Sequence, residues 1–294
     1  MKYDSLPSPA DTFTDWLQQL PPAEHRLVAS VYFSECDGEI LLAQYLQLPC
    51  TLYIGTDGGK KHHKGSFSWI ICSPGRYQLV LNAGPVDGWS KCQSSLRSKE
   101  VALASATLYI NKMAAYYSIN ICCTFLLYVD STGAITNVEQ LRDRIPKRRF
   151  PDNADILCTL KLAPHVLSHF RFQHVKSHQD DEVDFAELPF PAQLNVLCDR
   201  MATEQMQHQL TDANECSSNI VLTPRDLPIE VCYGQQIISS HYISRLREAI
   251  SADHQRIYLQ RKYRWPDITW ALIATDSFFL CARRIRGATS VISK

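Results

Sequence analysis

Three aspartates stand where carboxylates could converge. Asp57 closes a short apolar run ending in a glycine turn, TLYIGTDGG, and Asp130 closes a longer one, CCTFLLYVD. Asp199 lies inside the periodic stretch AQLNVLCDRMATEQMQHQL. Carboxylates at the ends of adjoining strands, joined by one from a covering helix, can meet at a single point. Their mutual repulsion is tolerable there only with a cation between them. The nearest candidates for a fourth charged group are consecutive, Lys99 and Glu100, at the head of SSLRSKEVALASATLYI. About 100° of helix rotation separates them, so they cannot both face the same point.

The elements that would position these residues follow from patterning. TLYIGTDGG, GSFSWIICS and RYQLVLNAG read as three strands, separated by turn chemistry at Gly59, Pro74 and Gly75. A loop with Asp87, Gly88 and Trp89 leads to a helix from about Ser95 to Tyr117, with Leu103, Ala106, Thr107 and Ile110 on its apolar face. CCTFLLYVD, unbroken in its hydrophobicity, suits a central strand covered on both faces. STGAITNVEQLRDRI is a helix capped by Ser131 or Thr132, and NADILCTLKLAPHVL is a helix that Pro164 ends or kinks. HFRFQHVKSH is a further strand, and AQLNVLCDRMATEQMQHQL a final helix. The order β-β-β-α-β-α-α-β-α predicts a mixed sheet with helices on its faces.

The flanks carry less. Residues 1–50 are a proline-bearing lead-in with short helical patches such as TDWLQQL, and residues 213–294 hold a hairpin-like IEVCYGQQIISS and helix-like pieces. Trp265 and Trp270 in that tail read as packing residues. The division expected is therefore 1–50, 51–212 and 213–294.

Thirty basic residues balance thirty acidic ones, so the chain lacks the overall positive charge of a strongly basic nucleic-acid binder, and any polyanion site must be local. Two basic clusters qualify: Lys60, Lys61, His62, His63 and Lys64 at a hairpin tip, and Lys147, Arg148 and Arg149 in a turn. Eleven cysteines without a C-x-x-C pair suggest neither a disulfide framework nor a zinc knuckle, and place the chain in a reducing compartment, cytoplasm or nucleus. No apolar run reaches the length of a membrane span, and the acidic, proline-containing start lacks the order of a secretory signal.

TDGG, the helix opened by SLRS, YVDSTGAI, HVKSHQDD and LNVLCDRMA resemble, in order and spacing, the ribonuclease H domain (type 1) carried by retroelement reverse-transcriptase polyproteins. The similarity covers residues 51 to about 210, and the tail LQRKYRWPDITWALI resembles, more loosely, the segment that follows that domain. The resemblance implies an α/β fold, a mixed five-stranded sheet flanked by helices with N- and C-terminal extensions. It implies an intracellular endoribonuclease cutting the RNA strand of RNA/DNA hybrids, part of a longer polyprotein. Its cofactor would be two magnesium ions, with manganese as substitute, because hard oxygen ligands suit them and two ions can serve attacking and leaving oxygens together.

On that resemblance Asp57 bridges both ions, Asp130 binds one and Asp199 the other, while His178 moves protons or assists product release, as a group with an ordinary pKa near 6.5 can. Gly58, Lys60, Lys61, Ser95 and Arg97 would contact substrate, the last two beside a helix N-terminus that favours anions. The fourth carboxylate departs from the family pattern. Lys99 fills the glutamate's place and Glu100 follows one residue later, so a catalytic, metal-binding Glu100 requires a shift of helix register. Without that shift an ammonium lies beside Asp57, and the chain becomes an inactive nucleic-acid-binding or scaffold domain of the same fold. A transposase-like Asp, Asp, Glu order and an exonuclease-like Asp-x-Glu start are both absent from these motifs.

Overall fold

The structure is a computed structural model and describes residues 12–28, 30–88, 92–143, 153–161, 163–211, 232–233 and 236–237. The Lys147–Arg149 cluster, the helix-like tail, Trp265 and Trp270 lie outside the described residues. The chain begins with helices α1 (Phe13–Gln18) and α2 (Pro22–Val28), strand β1 (Val31–Phe33) and helix α3 (Gly38–Leu46). Strands β2 (Thr51–Lys61), β3 (Lys64–Cys72) and β4 (Gln78–Val86) follow, then helix α4 (Ser95–Tyr116), strand β5 (Thr124–Val129) and helices α5 (Thr132–Asp143), α6 (Ala154–Lys161) and α7 (Pro164–Ser168). Strand β6 (Phe170–His174) and helix α8 (Phe190–Thr211) complete the main body. Cys232–Tyr233 and Gln236–Ile237, strands β7 and β8, pair antiparallel within the stretch read as a hairpin.

The sheet runs β1-β4-β3-β2-β5-β6. Short connections force β2, β3 and β4 into antiparallel pairs. The β2–β3 turn is not at the expected Gly59, which pairs with Ser66 inside the ladder, but at His62 and His63, with φ of 47° and 65°, the doubly left-handed geometry of a turn whose twist matches the strands. Longer excursions through α4 and through α5 to α7 return β5 and β6 parallel to β2. Five of these strands are the expected mixed sheet, and the sixth, β1, corrects the count. Its three residues are too short to show a period of two and are a strand because Val31–Phe33 pair with Val80–Asn82 on β4.

The lead-in packs onto the same core as the rest of the main body. Phe13 meets Tyr109 of α4 with ring centroids 5.7 Å apart, and the carbonyl of Leu27 accepts from Asn82 Nδ2 and Ser105 Oγ, both at 2.6 Å. This cover explains why α4 is buried well beyond its predicted apolar face, with the sheet on one side and other helices on the other. Pro164 ends one helical stretch and occupies the first turn of the next, α7, where its missing N–H is harmless.

Helices α4 and α8 clamp β2 from opposite faces, and two glycines permit the approach. A Cβ at Gly55 would stand 2.5 Å from Leu194 Cγ on α8, and one at Gly58 would stand 2.5 Å from the Ser98 carbonyl carbon on α4. Alternation along the strand therefore places Asp57 on the α8 face. Among the described residues no helix is long and apolar enough to cross a membrane.

Candidate active site

Strands β2 and β5 stop pairing at Thr56 and Val129, and the next residue on each is Asp57 and Asp130. Two carboxylates thus emerge side by side where the parallel pair opens, and Asp199 arrives from α8. These three, with Gly58, Gly59, Ser95, Lys99, Ser177, His178, Asp180, Asn195 and Val196, line a cleft of about 190 Å³. The sequence-predicted Asp57, Asp130, Asp199, His178, Gly58 and Ser95 are brought together there.

The charge among the carboxylates is Lys99. Ser94 caps α4 by accepting from Arg97 N at 3.0 Å, which fixes the register in which Lys99 points to Asp57 and Asp130. Its Nζ donates to Asp57 Oδ1 at 2.6 Å and to both oxygens of Asp130 at 2.5 Å. Burial works against this ammonium, but the two aspartates outweigh it and hold its pKa above the ordinary value. Burial and the neighbouring Asp57 raise Asp130. Asp199 is pushed up to about 6 by burial, by the charge of Asp57 and by a hydrogen bond shared with it.

Glu100 is not part of this cluster, which corrects its reading as a catalytic and metal-binding residue. The helix register is unshifted, and the Glu100 side chain is fully buried on the flank of α4. Asn137 Nδ2 donates to its Oε1 and Asn153 Nδ2 to its Oε2, both at 2.6 Å. Burial pushes its pKa up to about 7 despite these two donors and Arg97. Arg97 is likewise corrected as a substrate contact. It is 1% exposed and donates from Nη1 and Nη2 to Asp155 at 3.0 and 2.7 Å and from Nη2 to the Asp87 carbonyl at 3.1 Å. A guanidinium committed inside the protein has no donor facing a ligand.

The other predicted contacts divide. Lys60 and Lys61 are exposed at the end of β2, one and two residues beyond the cleft-lining Gly59, whereas Lys64 of the same tip turns to the Gln209 carbonyl near the end of α8. Ser95 is exposed at the start of α4, with Oγ 3.5 Å from the Gly58 carbonyl. His178 is exposed in the loop between β6 and α8, with a left-handed φ of 53°.

Sequence reasoning missed Asn195. It sits four residues before Asp199 on α8, 3% exposed, and its Nδ2 has no hydrogen-bond partner. A polar residue inside the apolar run LNVLC was the available signal. The Asn137, Asn153 and Asp155 partners carried no such signal, because each looks like an ordinary polar residue in or beside a helix.

The pair of magnesium ions implied by the sequence resemblance does not fit these side chains. An ammonium already occupies the space between Asp57 and Asp130 and uses three of their four oxygens, so a divalent ion there would face a positive charge at contact distance. Among the described residues no group of three or more His, Cys, Asp or Glu is arranged to hold a metal.

The sheet order, with Asp57 and Asp130 where the β2–β5 pairing stops, is the arrangement the ribonuclease H resemblance implies. The fold is ribonuclease H-like. No protein-family model matches the chain, and no curated protein does. Among solved structures, the chain is similar to LC11-RNase H1 in complex with an RNA/DNA hybrid, at 14% identity over 54% of this chain and 99% of that one, with a TM-score of 0.37. RNase H1 from the halophilic archaeon Halobacterium salinarum is 14% identical over 54% of this chain and 98% of that one, with a TM-score of 0.34. The foamy viral protease-reverse transcriptase in complex with an RNA/DNA hybrid is 12% identical over 55% of this chain and 20% of that one, with a TM-score of 0.37.

Proposed function

We propose that this chain is a ribonuclease H-like domain, of the kind carried in retroelement polyproteins, that binds RNA/DNA hybrids and whose two-metal hydrolysis is disabled by Lys99. The observation that carries the reading is the Lys99 ammonium, 2.5–2.6 Å from Asp57 and Asp130. A lysine there neutralises charge as a metal would, but it is monovalent and offers no coordination position to a water or a leaving oxygen. Loss of that stabilisation costs several orders of magnitude in rate, since such electrostatic groups supply several kcal/mol at the transition state.

Binding rests on groups that Lys99 leaves untouched. Lys60 and Lys61 project beside the cleft and suit the sugar-phosphate backbone, a contact that gives affinity without sequence choice. Ser95, at the N-terminus of a 22-residue helix, adds a hydroxyl in a field that favours anions. His178 lines the cleft and is exposed to solvent.

The test is cleavage of a labelled RNA/DNA hybrid, with magnesium or manganese, by the parent chain and by Lys99→Glu and Glu100→Ala. The parent is expected to be slow, Lys99→Glu to gain at least about a hundredfold, in line with restoring one charged group of such a site, and Glu100→Ala to leave the rate unchanged. Fast metal-dependent cleavage by the parent that disappears in Glu100→Ala would overturn the reading. Hybrid binding should weaken as salt rises, with a shallower slope when Lys60 and Lys61 become alanine.

A further inference from the structure

Three alternate residues of β3 bond to the backbone of α8. Ser68 Oγ donates to the Cys198 carbonyl at 2.6 Å, Ser66 Oγ to the Ala202 carbonyl at 2.7 Å, and the Lys64 ammonium to the Gln209 carbonyl. Gln209, itself 5% exposed, answers from the helix by donating from Nε2 to the Gly65 carbonyl at 3.3 Å. Apolar contacts would hold the helix to the sheet without dictating which atoms meet, because the hydrophobic effect has no direction. Hydrogen bonds have one, so β3 and α8 keep a single axial register. The last of these bonds differs in kind. Lys64 commits a full charge to the final turns of α8, where the helix dipole favours a cation. Lys61 stands directly across the ladder from it, and two facing ammonium groups repel. Turning Lys64 to the helix separates them and leaves Lys60 and Lys61 exposed.

From these observations we infer that Lys64 and Gln209 are positioning residues that clamp the β2–β3 hairpin tip to the end of α8 and so hold Lys60 and Lys61 where the backbone of a bound RNA/DNA hybrid passes. The inference rests on the hybrid-binding function proposed above. Lys64 itself does not touch the nucleic acid. Pairing of β3 with β4 begins at Gly65, so the tip from Lys60 to Lys64 stands out from the sheet as a two-stranded ribbon. Such a ribbon is weakly ordered by itself. Every orientation other than the bound one would have to be given up when the hybrid arrives, at the expense of affinity. The clamp removes those orientations beforehand.

The experiment is equilibrium binding of a fluorescent RNA/DNA hybrid by the full chain at one salt concentration, with a thermal melt of each protein. Lys64→Met and Gln209→Leu are each introduced into the parent and into a Lys60→Ala/Lys61→Ala background. In the parent both should weaken binding by about three- to tenfold, the cost of ordering the freed side chains on binding. In the Lys60→Ala/Lys61→Ala background neither should have an effect, because the residues they position are gone. Lys64→Arg keeps a charged donor and should bind as the parent does. Equal losses in the two backgrounds mark a direct contact or a general loss of structure and overturn the inference. Unchanged affinity in the parent, or a Lys64→Arg as weak as Lys64→Met, overturns it too. Gln209→Leu removes no cation and decides the matter where Lys64→Met does not fold, and failure of both to fold marks a purely structural pair and overturns the inference. Hybrid binding that Lys60→Ala/Lys61→Ala leaves intact overturns the clamp while the proposed function stands. A parent that binds no hybrid overturns both.

Discussion

Lys99 and Glu100 are consecutive, about 100° apart around the first turns of α4, and each is met by side chains from two other elements. Lys99 reaches Asp57 on β2 and Asp130 just past β5 and is neutralised by opposite charges. Glu100 meets Asn137 of α5 and Asn153, just before α6, and receives hydrogen bonds from neutral amides, with Arg97 nearby but spent on Asp155. The first region keeps its charges and lies on a solvent-connected cleft. The second is sealed, and its carboxylate is held near neutrality. Opposite charge and neutral hydrogen bonding are different solutions to burying an ion, and they leave opposite signatures in pH and mutation.

The largest effect should come from the sealed side. Arg97→Met strands Asp155, 4% exposed, without its cation, and should cost about 3–5 kcal/mol in urea unfolding. A loss below about 1 kcal/mol, the worth of a surface pair, would mean that the two regions do not differ in kind. Next is pH. Folded Glu100 titrates at about 7 against 4.5 when unfolded, so the folded state holds that proton more tightly. Its contribution is therefore full below pH 4.5 and falls as pH rises toward 7, by about 3 kcal/mol in all. Asp199, raised to about 6, adds a slope of the same sign. Glu100→Gln should flatten most of the decline in melting temperature between pH 5 and pH 8, and an unchanged slope would assign it elsewhere.

Lys99→Met leaves Asp57 and Asp130 facing one another and should cost about 2–3 kcal/mol, less than Arg97→Met because the cleft admits water and counterions. The loss should shrink at high salt, which the Arg97→Met loss should not. Smallest is Ser94→Ala, about 1 kcal/mol for the lost cap of the turn that orients both residues. Its measure is the melting temperature.

The sequence was most legible where one residue type has one use. The position of Asp130 just past β5, the place of Asp199 on the last helix, and the competition between Lys99 and Glu100 could all be read from spacing and motif, whereas Asp57, read as a strand end, lies within β2 because Gly58 and Gly59 continue the pairing with β3. Ser131 was read as a cap, and its Oγ accepts from Ala134 N at 3.2 Å. Arg97 was misread because a helix N-terminus beside a cleft suits a phosphate contact equally well. Only Asp155, 58 residues away, shows that the side chain turns inward. β1 and the packing of α1 against α4 were hidden for a similar reason, since three residues of strand and six of helix carry too little pattern to announce a distant partner.

The parallel pairing of β2 with β5 joins Thr51 to Thr124, whereas β2, β3 and β4 are neighbours along the chain. Closing the longer loop comes at greater entropic cost, so the antiparallel meander can assemble before β5 docks. Lys99 touches Asp57 and Asp130 together only once that docking has occurred. In kinetic terms the ammonium is expected to be a brake on departure rather than a seed for assembly, slowing the opening of β5 from β2 and leaving the rate of reaching the native state nearly untouched.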